Sequence, residues 1–106
     1  IVSDRLISLM LAQISENRHL KDVFADLFAA EGSEVYLKPL ADYVDGEVSF
    51  ATLSEAALRR GEVAIGYRLA ADAGESAKAY GVRVNPPKSA RLSPAPGDRA
   101  IVLAED

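Results

Sequence analysis

Three carboxylates close together in the chain are the best local arrangement of residues for chemistry. Asp42, Asp45 and Glu47 offer clustered oxygen atoms, the ligands that hard cations such as calcium prefer. Their spacing does not fit the EF-hand loop. A solvated turn built on Asp45-Gly46 explains the same residues, because both residue types favour bends. The segment is therefore a candidate calcium site, with an ordinary acidic turn as the favoured interpretation.

Three arginines form the second candidate group. Arg59, Arg60 and Arg68 could gather an anion such as a nucleotide phosphate, which guanidinium groups bind well. Arg59 and Arg60 also fall where a helix is predicted to end, and cations there offset the negative end of the helix dipole. The anion site and the helix-end explanation both remain open.

No set of residues points to catalysis. His19 is the only histidine, so no second imidazole completes a zinc site, and the chain has no cysteine to supply a thiolate, a disulfide or a nucleophile. Serines are present without the strand-turn-helix context of a nucleophile elbow. We expect no catalytic residues and no certain cofactor, and hence not an enzyme.

Length and composition set broad limits on the function. The 106 residues suit one domain, and about half of them are apolar. The net charge of −4 argues against nucleic-acid binding, which favours basic surfaces. No apolar run reaches the roughly 20 residues needed to cross a bilayer. Because the chain begins at Ile1 without methionine, we expect a soluble fragment of a longer protein.

The first third, residues 1–32, has the pattern of a helix-turn-helix hairpin. Apolar residues recur at helical spacing from Ser3 to Glu16 and again after Asn17, until Gly32. They cover more than one stripe of the first helix, which therefore needs cover on more than one side. We expect a homodimer or ring through this hairpin, with an interface formed by Leu6, Ile7, Met10, Leu11, Ile14 and Phe24.

Residues 33–106 alternate between short strands and turns. Strands are predicted before Pro39, at Val48, over residues 63–68, over residues 81–84 and over residues 100–103. The spacing of Thr52 and Glu55 is that of a capping box, which predicts a helix that ends at Gly61. Residues 69–80 are predicted to be a connecting loop with at most one helical turn. The whole pattern predicts an α+β fold, with the helical hairpin followed by a small mixed sheet and one short covering helix.

Five blocks of sequence carry a resemblance to a known family. They lie in the same order along nearly the whole chain: residues 30–34, 36–39, 61–69, 84–88 and 96–102. The order of elements resembles the C-terminal lobe of RCK domains, also called TrkA-C lobes, which regulate conductance in potassium channels and transporters. Gly66-Tyr67-Arg68-Leu69 and Asn85-Pro86-Pro87-Lys88 narrow the resemblance to the Castor/Pollux family of ion channels.

The resemblance implies a function that the residues alone do not. The chain would be a cytosolic gating-ring domain of a cation channel, which passes effector binding to the pore. Residues 1–32 would be the crossover segment through which lobes pair, and calcium would be a candidate effector. A Rossmann-type lobe and a transmembrane pore would precede this domain in the parent protein. Two alternatives stay open: a purely structural dimerisation module without a ligand, and a stand-alone small-molecule sensor.

Overall fold

A four-stranded sheet forms the centre of the domain in the computed structural model, which describes residues 9–10, 12–13 and 33–105. Its strands are β1 (Ser33–Pro39), β3 (Val63–Arg68), β4 (Val82–Val84) and β6 (Arg99–Glu105), in the order β1-β6-β3-β4. A separate two-stranded ribbon joins β2 (Val48–Ser49) to β5 (Arg91–Leu92). The α+β fold is therefore confirmed for the described residues.

Every described strand pairing is antiparallel, which corrects the prediction of a mixed sheet. The reason lies in the chain order. The last strand, β6, inserts between β1 and β3 and runs opposite to both, while β4 returns beside β3. No two neighbouring strands of this sheet run the same way. Such a register cannot be deduced from strand patterns alone.

One helix, α1 (Phe50–Arg59), covers one face of the sheet, as predicted. It begins earlier than its predicted capping box, because the cap is Ser49, whose Oγ accepts a hydrogen bond from the Thr52 N–H at 3.3 Å. Gly61 follows the helix with φ of 75°, which favours glycine and explains the predicted stop. Between α1 and the sheet lies a buried cluster of Leu40, Val44, Phe50, Leu53, Ala57, Tyr67, Leu92, Ala100 and Val102.

The opposite face of the sheet is covered by the chain's own N-terminal part. Residues 9, 10, 12 and 13 are helical, and Met10 is 0% exposed against Ile65, Val82 and Ile101. The rest of the predicted hairpin lies outside the described residues. In the part of the chain that the structure describes, no helix has the length and apolar character required to cross a bilayer.

Residues of the two motif blocks 66–69 and 85–88 make backbone contacts between neighbouring elements. A Cβ on Gly66 would overlap the Arg83 carbonyl oxygen, so only glycine lets β3 and β4 approach there. Asn85, with φ of 49°, donates its N–H to the Ile65 oxygen at 2.7 Å. The carbonyls of Lys88 and Ala90 accept N–H groups from the first turn of α1. These motifs therefore fix the positions of β3, β4 and α1 relative to one another.

Two 3-10 helices, Ala70–Asp72 and Ser76–Gly81, occupy the predicted connecting loop. Asp98 anchors this loop: its carboxylate is buried and accepts N–H groups from Ala70 at 2.8 Å and from Ala95 at 2.9 Å. The Pro96-Gly97-Asp98 turn, expected only as a bend before the last strand, therefore also connects the loop to the sheet.

Candidate functional site

The most unusual polar group in the described residues is Glu62, immediately before β3. Its backbone N–H donates to the Ala57 oxygen at 2.9 Å, so the turn at Gly61 folds Glu62 back against the end of α1. This places the side chain below the surface, with only 5% of the residue exposed. A buried carboxylate is costly unless it is paired and hydrogen-bonded.

Both carboxylate oxygens of Glu62 have donors from other parts of the chain. Lys38, near the end of β1, donates its ammonium group to Oε2, and the hydroxyl of Tyr43 donates to Oε1 at 2.6 Å. Lys38 also lies over the Tyr36 ring, 5.3 Å from its centroid. We call Lys38, Tyr43 and Glu62 the Glu62 cluster. It joins β1, the residue that follows the 3-10 helix Leu40–Asp42, and the residue that precedes β3.

Arg60 closes the outer side of this cluster. Its guanidinium carbon lies 4.4 Å from the Tyr43 ring centroid, a cation–π distance. It also donates to the Asp42 backbone oxygen at 3.4 Å. The arginine at the end of α1 therefore does more than offset the helix dipole, because it also covers the tyrosine that holds Glu62.

The environment shifts the pKa values of Glu62 and Tyr43 in opposite directions. Burial by itself raises the pKa of Glu62, but the hydrogen bonds from Lys38 and Tyr43 and the charges of Lys38 and Arg60 outweigh it, so the pKa lies below its ordinary value. Burial, followed by the hydrogen bond to Glu62, raises the pKa of Tyr43. At neutral pH the carboxylate is charged and the phenol is protonated, an arrangement that suits a fixed electrostatic contact rather than proton transfer.

The structure brings together two of the three predicted anion-binding arginines. Arg59 and Arg60 line an open surface cavity of about 430 Å³, together with Asp42, Tyr43 and Glu55. Arg59 is paired with Glu55 at 3.0 Å. The cavity therefore contains acidic groups beside the cationic ones.

Arg68 lies elsewhere and donates to the Tyr80 oxygen at 3.0 Å. Arg68 does not line the cavity that Arg59 and Arg60 share. Anion binding by Arg59 and Arg60 remains a prediction.

The three acidic residues of the predicted calcium site do not form a ligand group. Asp42, Asp45 and Glu47 are all exposed, and Glu47 pairs with Arg91 at 3.2 Å. Within residues 9–10, 12–13 and 33–105, no group of three or more histidine, aspartate or glutamate side chains lies close enough to hold a metal ion. Calcium binding remains a prediction, without a preformed site among these residues.

The predicted dimer interface remains a prediction. Of its residues the structure describes Met10, whose side chain is completely buried in the chain's own core. Leu6, Ile7, Leu11, Ile14 and Phe24, like His19, lie outside the described residues.

Sequence reasoning missed the Glu62 cluster and the role of Gln13. Glu62 had one visible signal, an acidic residue placed directly between a helix-ending glycine and an apolar strand. Its partners Lys38 and Tyr43 lie 24 and 19 residues away in sequence and had no such signal. Gln13 reaches β4 across 69 residues, which only the folded chain reveals.

Several ion channels are similar to this chain, and three of them are described here, although no protein-family model matches it. Ion channel CASTOR from Lotus japonicus is 35% identical over 108 residues, which cover 99% of this chain and 12% of that channel. Probable ion channel CASTOR from Oryza sativa subsp. japonica is 37% identical over 71 residues, or 65% of this chain and 8% of the relative. Probable ion channel POLLUX from Arabidopsis thaliana is 36% identical over 72 residues, or 66% of this chain and 9% of the relative. The chain thus spans about a tenth of the length of each.

Proposed function

This chain is homologous to one region of the CASTOR and POLLUX ion channels, and from that premise we propose that it is a regulatory domain of a channel of this family. The observation that carries the proposal is the match to Lotus japonicus CASTOR, which extends over 99% of this chain but only 12% of the channel. A segment of that kind is one folded part of a larger protein. The three relatives are named as ion channels and not as enzymes.

The architecture of the described residues supports a regulatory role rather than a role in conduction. The sheet, α1 and the Glu62 cluster form a lobe of buried apolar and fully paired polar groups. Within residues 33–105 and the four described N-terminal positions, no buried side-chain nitrogen or oxygen lacks a hydrogen-bond partner. A lobe that is fully packed and paired moves as a unit, which suits transmission of force between an effector and a pore.

The attachment of the N-terminal residues provides a path for such motion. Met10 packs into the far face of the sheet, and the Gln13 side chain hydrogen-bonds the backbone of β4. A shift of the N-terminal segment would therefore move the sheet, and a shift of the sheet would move the N-terminal segment. We propose that the lobe is of the RCK C-terminal type, in the cytosol, and that it pairs with neighbouring lobes through the hairpin of residues 1–32.

Regulation requires that an effector bind one arrangement of the channel better than another. The coupling free energy in such systems is typically about 1–3 kcal/mol. The effector is not assigned, because no described residues form a metal site and the cavity beside Arg60 carries charges of both signs. Calcium remains the first effector to be tested with a complete channel.

A chimera tests the proposal. The matching segment of Lotus japonicus CASTOR is replaced by this chain, and single-channel currents are recorded in planar bilayers. We expect Gly66→Ala, which forces a Cβ into the Arg83 carbonyl, to change the open probability without changing unit conductance or ion selectivity. Gly74→Ala is the matched control, because no atom lies within 4 Å of its added Cβ.

Two other outcomes have distinct meanings. A change in unit conductance or selectivity would place the segment at the pore and contradict the regulatory proposal. Loss of channel assembly with Gly66→Ala, combined with unchanged gating in every variant that assembles, would instead favour the purely structural alternative.

A further inference from the structure

The connection between β3 and β4 is a compact loop whose two ends touch. Leu69 donates its N–H to the Gly81 oxygen at 2.9 Å, directly beyond the paired residues Arg68 and Val82. Gly81 approaches Leu69 so closely that an added Cβ would overlap the Leu69 oxygen. Residues 69–81 therefore form an Ω-type loop with a fixed base, a kind of loop that is frequently functional. We call residues 69–81 the latch loop.

The last part of the latch loop has an unusual backbone. Ala79, Tyr80 and Gly81 have φ angles of 52°, 54° and 80°, so three consecutive residues are left-handed. Residues other than glycine rarely adopt this conformation, and they normally do so at single positions, because their Cβ crowds the following carbonyl oxygen. The turn at residues 79–81 is therefore strained. Such strain persists only where the surrounding structure imposes it.

Arginines from both flanking strands hold the strained turn. Arg68 of β3 donates its Nε hydrogen to the Tyr80 oxygen at 3.0 Å. Arg83 of β4 donates from Nη1 to the Lys78 oxygen at 2.8 Å. The two carbonyl groups that are held lie on either side of Ala79. Each strand therefore contributes one guanidinium group that fixes the backbone where it is left-handed.

Ion pairs inside the latch loop add to this restraint. The Asp72 carboxylate lies 3.5 Å from the Lys78 ammonium and 3.7 Å from the Arg83 guanidinium. Lys78 also lies 3.6 Å from the carboxylate of Glu75. Partly exposed ion pairs of this kind stabilise only weakly. Contacts of modest strength therefore oppose the strain, so the turn can be released without unfolding the sheet.

Arg83 also connects the turn to the N-terminal segment. Its Nη1 donates to the Val82 oxygen at 2.9 Å, and the same oxygen accepts a hydrogen bond from Gln13 Nε2 at 2.8 Å. Gln13 Oε1 accepts the Val84 N–H at 3.0 Å. Gln13 thus holds the β4 backbone on both sides of Arg83. A continuous series of hydrogen bonds runs from Gln13 through Arg83 to the Lys78 carbonyl.

We propose that the latch loop is a two-state element and that the Gln13 contact favours its closed state, the one described above. In the released state the Lys78 oxygen leaves Arg83 and Ala79 returns to a right-handed conformation. Because coupling is reciprocal, release of the loop weakens the attachment of Gln13 in turn. Any use of this element in gating rests on the regulatory function proposed above, whereas the two states are a property of the folded chain.

A pair of glycine substitutions tests the strain. Ala79→Gly removes the Cβ that the left-handed conformation crowds. Ala73→Gly is the matched control, because it makes the same change in the same loop at a residue with φ of −60°. Ala73→Gly should lower the melting temperature by about 2–8 °C, and Ala79→Gly should leave it equal to or above that of the native chain. Equal losses in both variants would overturn the proposal.

Amide hydrogen exchange of the native chain tests the second state. The Tyr80 N–H donates to the Glu75 oxygen at 3.0 Å, inside the latch loop. If the loop opens separately from the sheet, this amide should be protected at least about tenfold less than that of Val102. Val102 is completely buried in β6 and serves as the internal reference. Equal protection of the two amides would exclude a separate released state.

Two variants test the coupling to the N-terminal segment. Gln13→Ala and Arg83→Gln should each raise Tyr80 exchange about tenfold relative to Val102, because each breaks one link of the same series. Combined, they should raise it by less than the product of the separate effects. Arg91→Gln is the control, since this arginine pairs with Glu47 and is 61% exposed. It should leave the ratio unchanged.

An unchanged ratio of exchange rates in Gln13→Ala would overturn the coupling. Circular dichroism checks that each variant is folded. If Arg83→Gln does not fold, Gln13→Ala and the native chain still decide the result. These measurements use the 106-residue chain and do not depend on channel function, so the latch can fail while the regulatory proposal stands, and the regulatory proposal can fail while the latch stands.

Discussion

Replacing Glu62 with glutamine tests whether the Glu62 cluster stabilises the lobe. Glu62→Gln keeps the size of the side chain but removes the charge that Lys38 and Tyr43 share. Each hydrogen bond to a charged group contributes about 1.5–3 kcal/mol to stability. Breaking a fully buried ion pair costs about 3–5 kcal/mol, but Lys38 remains 32% exposed and regains water, which lowers the cost. We expect the free energy of unfolding to fall by about 2–3 kcal/mol at pH 7.

The loss should depend on pH with a defined sign. The pKa of Glu62 in the folded chain lies below its ordinary value of 4.5. A carboxyl with a lowered folded-state pKa stabilises the fold above its unfolded pKa, and this contribution disappears as the pH falls through the folded-state pKa. The difference between the native chain and Glu62→Gln should therefore be constant between about pH 5 and 7 and should shrink at pH values below 4.5.

Urea unfolding followed by circular dichroism measures both effects. Glu55→Gln is the control: it removes a carboxylate that pairs with Arg59 at 3.0 Å but is 67% exposed, and such pairs contribute about 0–1 kcal/mol. A loss for Glu62→Gln no larger than that of Glu55→Gln would refute the reasoning. A loss that stays the same at pH 3 would show that the charge of Glu62 is not its cause.

Four further changes have defined outcomes. Gly66→Ala should destabilise the isolated chain by several kcal/mol in urea unfolding, as overpacking against backbone does, whereas Gly74→Ala should leave stability within about 0.5 kcal/mol. Gln13→Ala should speed amide exchange in β4 by removing both side-chain hydrogen bonds, and unchanged exchange would show that the contact is not maintained in solution. Met10→Asp should unfold the chain rather than yield a folded monomer, because it places a charge in a fully buried position. If the acidic residues 42–47 bind calcium, millimolar calcium should raise the melting temperature, and an unchanged melt would count against that site.

Local sequence predicted the secondary structure well in the C-terminal two thirds. Alternating side chains placed β1 and β3, Gly61 placed the end of α1, and the Pro96-Gly97 turn placed β6. These features depend on neighbouring residues and on backbone preferences that each residue carries with it. The start of α1 was missed because Ser49 and Thr52 are both acceptable caps, and contacts from residues 88 and 90 select Ser49.

The Glu62 cluster and the burial of Met10 could not be read from the sequence. An acidic residue beside a strand has the same local pattern whether it is solvated or paired. Only the folded chain brings Lys38 of β1 to Glu62, 24 residues away in sequence. The helical spacing of Met10 is the same whether its side chain packs inside the chain or against a partner. The residues that bury it, Ile65, Val82 and Ile101, are far away in sequence, so only the folded chain shows where Met10 packs.

The sequence by itself determined the charge, most strands of residues 33–105, the end of α1 and, through its motif blocks, the ion-channel homology. Each is a property of short segments or of their order. The tertiary structure alone decided the strand order, the antiparallel register and the groups that surround Glu62, because these depend on contacts between residues far apart in the chain. The last strand, inserted between the first and third, creates those contacts, and no local preference encodes its position.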